Sequence, residues 1–334
     1  METNKENLSI RMIRFLSRII IKLFPITILK IISYNLPRQR EYFSLGYFHY
    51  FLSSKILERE YINSLRKDDF SSAIRKKNEW AFQILKYSEN DNERDVASHY
   101  LSILSKYGYV DSKYKNDLFN EDLNYKNKSS EIFYLYGPNC HNPPNLEYKN
   151  MTLVVTKDID ENTEKFKDSI LFLNHIYYRT RIENNREFKD KLLDKYGKIY
   201  ISSMLPIQDK EFEHSRLLPC SELCGSMALG RVLYNLILEN GRFDCVIEGY
   251  DQYLESEAYS QYYPTLTRVD NLIDEQKVVQ GLSDHDPLYN FLIVKELSSY
   301  INLIDSSNFR ETINMTGNEY FKELLNARDF SLLP

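Results

Sequence analysis

The stretch Glu131-Ile132-Phe133-Tyr134-Leu135-Tyr136-Gly137-Pro138-Asn139 decides how this chain is read. Five apolar or aromatic residues in a row, stopped by Gly-Pro, suit a short strand covered on both faces. Similar β-rich runs return at Thr152–Thr156, Ser169–Leu173, Lys198–Ser202, Asp244–Glu248 and Tyr300–Ile304. Helical patterns lie between several of them, at Tyr178–Tyr196, Ser221–Asn240 and Pro287–Ser299. Short apolar strands alternating with helices imply an α/β fold with a mostly parallel sheet. In such sheets ligands bind at the carboxyl ends of the strands, so the residues just after each strand are where chemistry is sought.

Upstream, the spacing predicts an α-helical region: Phe43–Leu57, Phe70–Tyr87 and Glu93–Tyr107 carry apolar residues every three or four positions. Trp80 reads as a core anchor there, and Tyr114–Ser130, dominated by Lys, Asn, Asp and Ser, as a linker. The helical region with its linker is expected over 41–130.

Residues 1–40 differ from both. Lys5, Arg11, Arg14, Arg18, Lys22, Lys30, Arg38 and Arg40 stand against Glu2 and Glu6, a net charge of +6. The whole chain carries −5, so the other 294 residues carry about −11. On a helix Arg11, Arg14, Arg18 and Lys22 form one stripe, with Phe15, Ile19, Leu23 and other apolar residues filling the rest. That is the pattern of a helix lying in a membrane interface with cations near anionic headgroups. A core helix with its basic stripe in solvent has the same pattern. The uncharged runs 23–29 and 31–37 are too short for a membrane span, and Pro25 breaks the helix. A cleavable signal peptide is not expected, because charge studs the apolar part.

Composition narrows the rest. With 334 residues, 43% hydrophobic and 27% charged, the chain has core enough for one large domain or two modest ones. The acidic balance argues against general nucleic-acid binding. Four cysteines without metal-ligand spacing argue against structural zinc and a disulfide framework.

The strand ends supply the candidates. Gly137-Pro138-Asn139 follows the first strand, and its turn lets backbone approach a nucleotide. Leu173-Asn174-His175 ends the third; the Asn174 amide can both donate and accept. Glu248-Gly249-Tyr250-Asp251-Gln252-Tyr253 ends another, with Tyr259 six residues beyond. In Ser283-Asp284-His285-Asp286-Pro287, Asp286 and Pro287 fit a helix start, with His285 just ahead of it. The helix dipole and the flanking aspartates pull its titration in opposite senses, which suits a general base and equally a surface cap histidine.

In this order, the strand ends resemble bacterial sialyltransferases of glycosyltransferase family 42, the lipooligosaccharide type, over about 131–310. The resemblance is carried by Gly137-Pro138-Asn139, Phe172-Leu173-Asn174, Cys224-Gly225, Gly249-Tyr250-Asp251-Gln252-Tyr253, Tyr259 and His285. It implies a Rossmann-like sheet of variant GT-A type over 131–334, with residues 254–284 as a lid. It also implies a CMP-linked sialic acid donor. Gly137, Asn139, Asn174, Gly225, Gly249 and Asp251 would bind that donor, Tyr253 and Tyr259 would steady the leaving phosphate, and His285 would be the base. A glycan or glycolipid acceptor follows from it. The basic amphipathic start, meeting a membrane surface through residues 10–40, then gives a peripheral place on the inner face of the cytoplasmic membrane, and the acidic balance leaves no nucleic-acid partner expected.

Departures exist: Tyr136, Cys224 and Leu282 replace residues typical of that family, and Thr156-Lys157-Asp158 lacks its Asn-Gln. Other CMP-activated acidic sugars (Kdo, legionaminic or pseudaminic acid) and a non-catalytic adaptor therefore stand as alternatives. Asp158-Ile159-Asp160 and Asp284-His285-Asp286 mimic metal-binding carboxylate pairs. A single-phosphate donor can instead be held by tyrosine hydroxyls, so no essential metal or cofactor is expected. Transfer activity is expected to survive EDTA; loss with EDTA and recovery with Mn²⁺ would reverse this expectation.

Overall fold

The computed structural model describes residues 69–87, 91–114, 129–137, 150–156, 158–159, 167–174, 177–202, 209–214, 228–250, 287–304 and 306–326, with isolated positions between 19 and 67 and at 254. The expected helix Phe43–Leu57 lies almost wholly outside them, as do nearly all of the basic segment 1–40 and the lid 254–284. The chain forms two compact units, Met1–Ala97 with Phe330–Pro334, and Ser98–Asp329. Among the described residues no helix is long and apolar enough to cross a membrane.

The first unit holds α1 (Phe70–Tyr87). Asp69 starts it by accepting from the Ser72 amide at 3.0 Å. Its inward residues Ala73, Ile74 and Ala81 are buried, while Lys76 ties Glu60 and Glu79, each at 2.9 Å. The helix α2 (Asp91–Lys106) runs from this unit into the second.

The second unit is an α/β fold around a seven-stranded sheet in which every pairing is parallel. The strands are β1 (Ile132–Tyr136), β2 (Thr152–Val155), β3 (Ile170–Asn174), β4 (Lys198–Ser202), β5 (Glu213–His214), β6 (Phe243–Glu248) and β7 (Ile301–Leu303). Their order across the sheet is β5-β4-β3-β2-β1-β6-β7. Such an order is consistent with a Rossmann-like fold. Parallel strands need crossover connections, and helices supply them: α3 (Arg186–Lys195), α4 (Ala228–Asn240) and α5 (Pro287–Ser298).

Alternation along the strands sends residues to two covered faces. Tyr134, Tyr136, Leu153, Val155, Leu171, Leu173, Ile199 and Ile201 share a core with Tyr178, Ile182 and Leu192 from the α3 side. Phe172 and Tyr200 point the other way and stack with ring centroids 4.6 Å apart. On that face the Tyr200 hydroxyl donates to Glu239 of α4. Burial, then that carboxylate, holds the phenol far above its usual titration range, so it remains a donor. Helix α5 is buried on nearly every side, from Leu288 to Leu297, which explains why it shows no polar face.

The structure differs from the sequence reading in three places. The helix expected over Tyr178–Tyr196 is broken: a π-helical turn spans Tyr178–Ile182, closed by the Glu183 amide on the Tyr178 carbonyl at 2.9 Å. Asn185 then caps α3, accepting from the Phe188 amide at 3.1 Å. The edge strand β5 was not anticipated, because two residues carry no periodicity; Lys189 of α3 helps fix the chain just before it by pairing with Asp209. Two further helices follow β7, α6 (Ser307–Asn314) and α7 (Gly317–Asn326). A capping box announces the second: the Thr316 amide donates to Glu319 at 2.7 Å, and Thr316 Oγ1 accepts from the Glu319 amide at 3.2 Å.

Leu171 is fully buried at the centre of the α3-side core. Leu171→Ala is expected to lower unfolding free energy by about 2–5 kcal/mol in urea titration. Ile304→Ala, at a position 45% exposed, should stay within about 0.5 kcal/mol of the parent.

Candidate functional site

Strands β2 to β5 progress to one side of β1, whereas β6 and β7 lie on the other. The sheet therefore changes its direction of growth between β1 and β6, and the crevice at the carboxyl ends of these two strands is where an open α/β sheet receives a ligand. Here the chain brings two glycines together. The Gly137 amide donates to the Glu248 carbonyl at 2.8 Å, carrying the β1–β6 ladder one residue past the strand. The next residue on the other side, Gly249, has φ of 69°, a left-handed conformation that side chains disfavour.

Their proximity is extreme. A methyl group on Gly137 would run into the Gly249 carbonyl oxygen, and would sit 2.6 Å from that carbonyl carbon and 2.8 Å from Cδ2 of Tyr250. Gly137 is thus required by approach and Gly249 by dihedral. The Tyr250 ring lies against the same glycine.

Of the residues singled out in the sequence, Gly137 and Gly249 meet at this pinch. Asn174 is the last residue of β3, in register with Ser202 and two strands from β1, roughly 10 Å away across the sheet. Asn139, Gly225, Asp251, Tyr253, Tyr259 and His285 lie outside the described residues, as do Lys157 and the Trp80 side chain.

Three residues not singled out as site candidates stand at the same edge. Thr156 follows β2, and its buried Oγ1 has no hydrogen-bond partner among the described residues. Glu248 ends β6 exposed, and the hydroxyl of the buried Tyr134 donates to its Oε2 at 2.5 Å. The available signal was period-two alternation, which puts Tyr134 and Tyr136 on one face of β1; nothing local tells that the phenol ends on a carboxylate of another strand.

Asp158, first carboxylate of one metal-like pair, is already engaged. Lys195 Nζ and the Tyr196 hydroxyl both reach its Oδ1 at 2.9 Å, and Tyr196 Oη also accepts from the Ile159 amide at 3.0 Å. Burial, with the Asp158 charge adding to it, holds the Tyr196 phenol far above its ordinary range and keeps its proton in place. Asp158 thus fastens α3 to the β2 exit. Among the described residues no group of three or more His, Cys, Asp or Glu side chains is placed to hold a metal. Burial also pushes the Cys245 thiol up to about 12, so this residue of β6 is a packed thiol and not a nucleophile at neutral pH.

No protein-family model, curated protein or solved structure matches this chain.

Gly137→Ala is expected to cost about 1–3 kcal/mol through overpacking against backbone, and Gly249→Ala about 1–2 kcal/mol through its left-handed dihedral. Because each strains the same contact, the double variant should lose less than the sum in a thermodynamic cycle. Strict additivity would show that the two glycines act independently.

Proposed function

We propose that this protein is an inverting glycosyltransferase of the variant GT-A type, moving a sialic acid from a CMP-linked donor to a hydroxyl of a bacterial surface glycan. The observation that carries this reading is the meeting of Gly137 and Gly249, distant in sequence, at the point where the parallel sheet reverses its growth. Both belong to the strand-end blocks that resemble family 42 sialyltransferases, and the reversal point of an open α/β sheet is where nucleotides are received.

In this reading Gly137, Asn139, Asn174, Gly225, Gly249 and Asp251 hold the donor. The acceptor oxygen attacks the anomeric carbon as the bond from that carbon to the CMP phosphate oxygen breaks. The acceptor proton passes to the imidazole of His285. The electron pair leaves with CMP, whose phosphate accepts hydrogen bonds from Tyr253 and Tyr259. Direct displacement inverts the anomeric centre. Residues 254–284 close over the donor and keep water from hydrolysing it. The basic segment 1–40 holds the enzyme against anionic lipid, where a lipooligosaccharide or capsule acceptor is built.

CMP at 100 times its Kd is expected to add about 2.7 kcal/mol to the folded state, visible as a raised unfolding temperature. UDP and NAD at the same concentration should add far less. No stabilisation by CMP, or equal stabilisation by all three, would remove the reading. His285→Ala should keep the CMP response and lose about 10²–10⁴-fold in transfer rate.

A further inference from the structure

We propose that Glu248 reads the ribose of the bound nucleotide, its carboxylate accepting hydrogen bonds from the vicinal sugar hydroxyls. This rests on the nucleotide reading above and adds a residue that the family resemblance does not supply.

The placement comes first. Glu248 is the last residue of β6, in register with Tyr136 of β1 and one residue before the Gly249 turn. Its carbonyl accepts from Gly137, so its backbone forms one lip of the glycine pinch while its side chain remains exposed at the mouth.

The second observation is the anchor. An exposed glutamate ordinarily samples many rotamers, and a ligand that used it would have to freeze them. Here the Tyr134 hydroxyl, on a side chain 2% exposed, donates to Oε2 at 2.5 Å. One carboxylate oxygen is held by a buried donor from the neighbouring strand. The other, Oε1, makes no hydrogen bond or ion pair with any described residue. The acceptor is therefore oriented before any ligand arrives.

Chemistry then selects the ligand group. An ionised carboxylate only accepts, and it repels phosphate. A nucleotide beside Glu248 would turn a neutral donor toward it and its phosphate away from it. A vicinal diol offers two hydroxyls within reach of one carboxylate, and acidic residues at strand ends take ribose hydroxyls in open α/β sheets.

The test measures binding of CMP, 2′-deoxy-CMP, AMP and 2′-deoxy-AMP to the full chain by calorimetry. For whichever nucleotide binds, the parent protein should favour the ribo form by roughly tenfold or more, the worth of a hydrogen bond to a charged group. Glu248→Gln preserves shape and an acceptor for Tyr134, and should bring that ratio close to one. Tyr134→Phe, which frees the carboxylate but keeps its charge, should reduce the ratio without abolishing it, and it decides the matter if Glu248→Gln fails to fold. An unchanged ratio in the variants, or equal binding of ribo and deoxy forms by the parent, overturns the proposal. Ribo-selective binding of AMP without CMP, lost in Glu248→Gln, supports Glu248 while removing the CMP reading. Binding of no nucleotide removes both.

Discussion

The contact on which the rest of the site depends is between two stretches of main chain. Gly137 and Gly249 approach so closely that neither a methyl group on the first nor an ordinary dihedral at the second would fit. This contact is a consequence of β1–β6 pairing, which runs without a break from Ile132 against Asp244 to Tyr136 against Glu248. Because β1 and β6 are neighbours while the chain between them builds β2 to β5, the pinch falls at the reversal of the sheet, where its carboxyl edge opens.

Polar groups of this unit are divided between holding the fold and facing outward. Asp158 is occupied by Lys195 and Tyr196, and serves to fix α3. Tyr200 is spent on Glu239, and Lys295 on the carbonyls of Ile313 and Met315 at the end of α6. Glu248 is different, since Glu239 shares its carboxylate between Tyr200 and Lys198, whereas Glu248 makes no ion pair with any described residue. The same type of phenol–carboxylate bond thus closes the structure at Tyr200 and presents an acceptor at Tyr134. The difference lies in whether the carboxylate stands on a covering helix or at the end of a strand.

Much of the sheet was legible because its strands are short, apolar and punctuated. Ile132–Tyr136, Lys198–Ser202 and Phe243–Glu248 begin and end within a residue of where alternation and turn residues put them. The π-turn at Tyr178–Ile182 was not legible, since its apolar spacing continues smoothly into α3 and only the Asn185 cap marks the break. Strand β5 was not legible either, because its existence is a matter of pairing with Tyr200 and Ile201 rather than of its own composition. Helix α7 was legible in principle through Thr316 and Glu319.

What the sequence determined alone was the alternation of apolar strand and helix, and with it a parallel sheet, because side-chain periodicity and turn chemistry act over a few residues. It also marked Gly137 and Gly249 as notable, each as the residue after a strand. Only the tertiary structure decided that these two meet, that Tyr134 holds Glu248, and that Asp158 is taken up by Lys195. Those relations join residues far apart along the chain, and local propensity carries no information about which strand becomes whose neighbour.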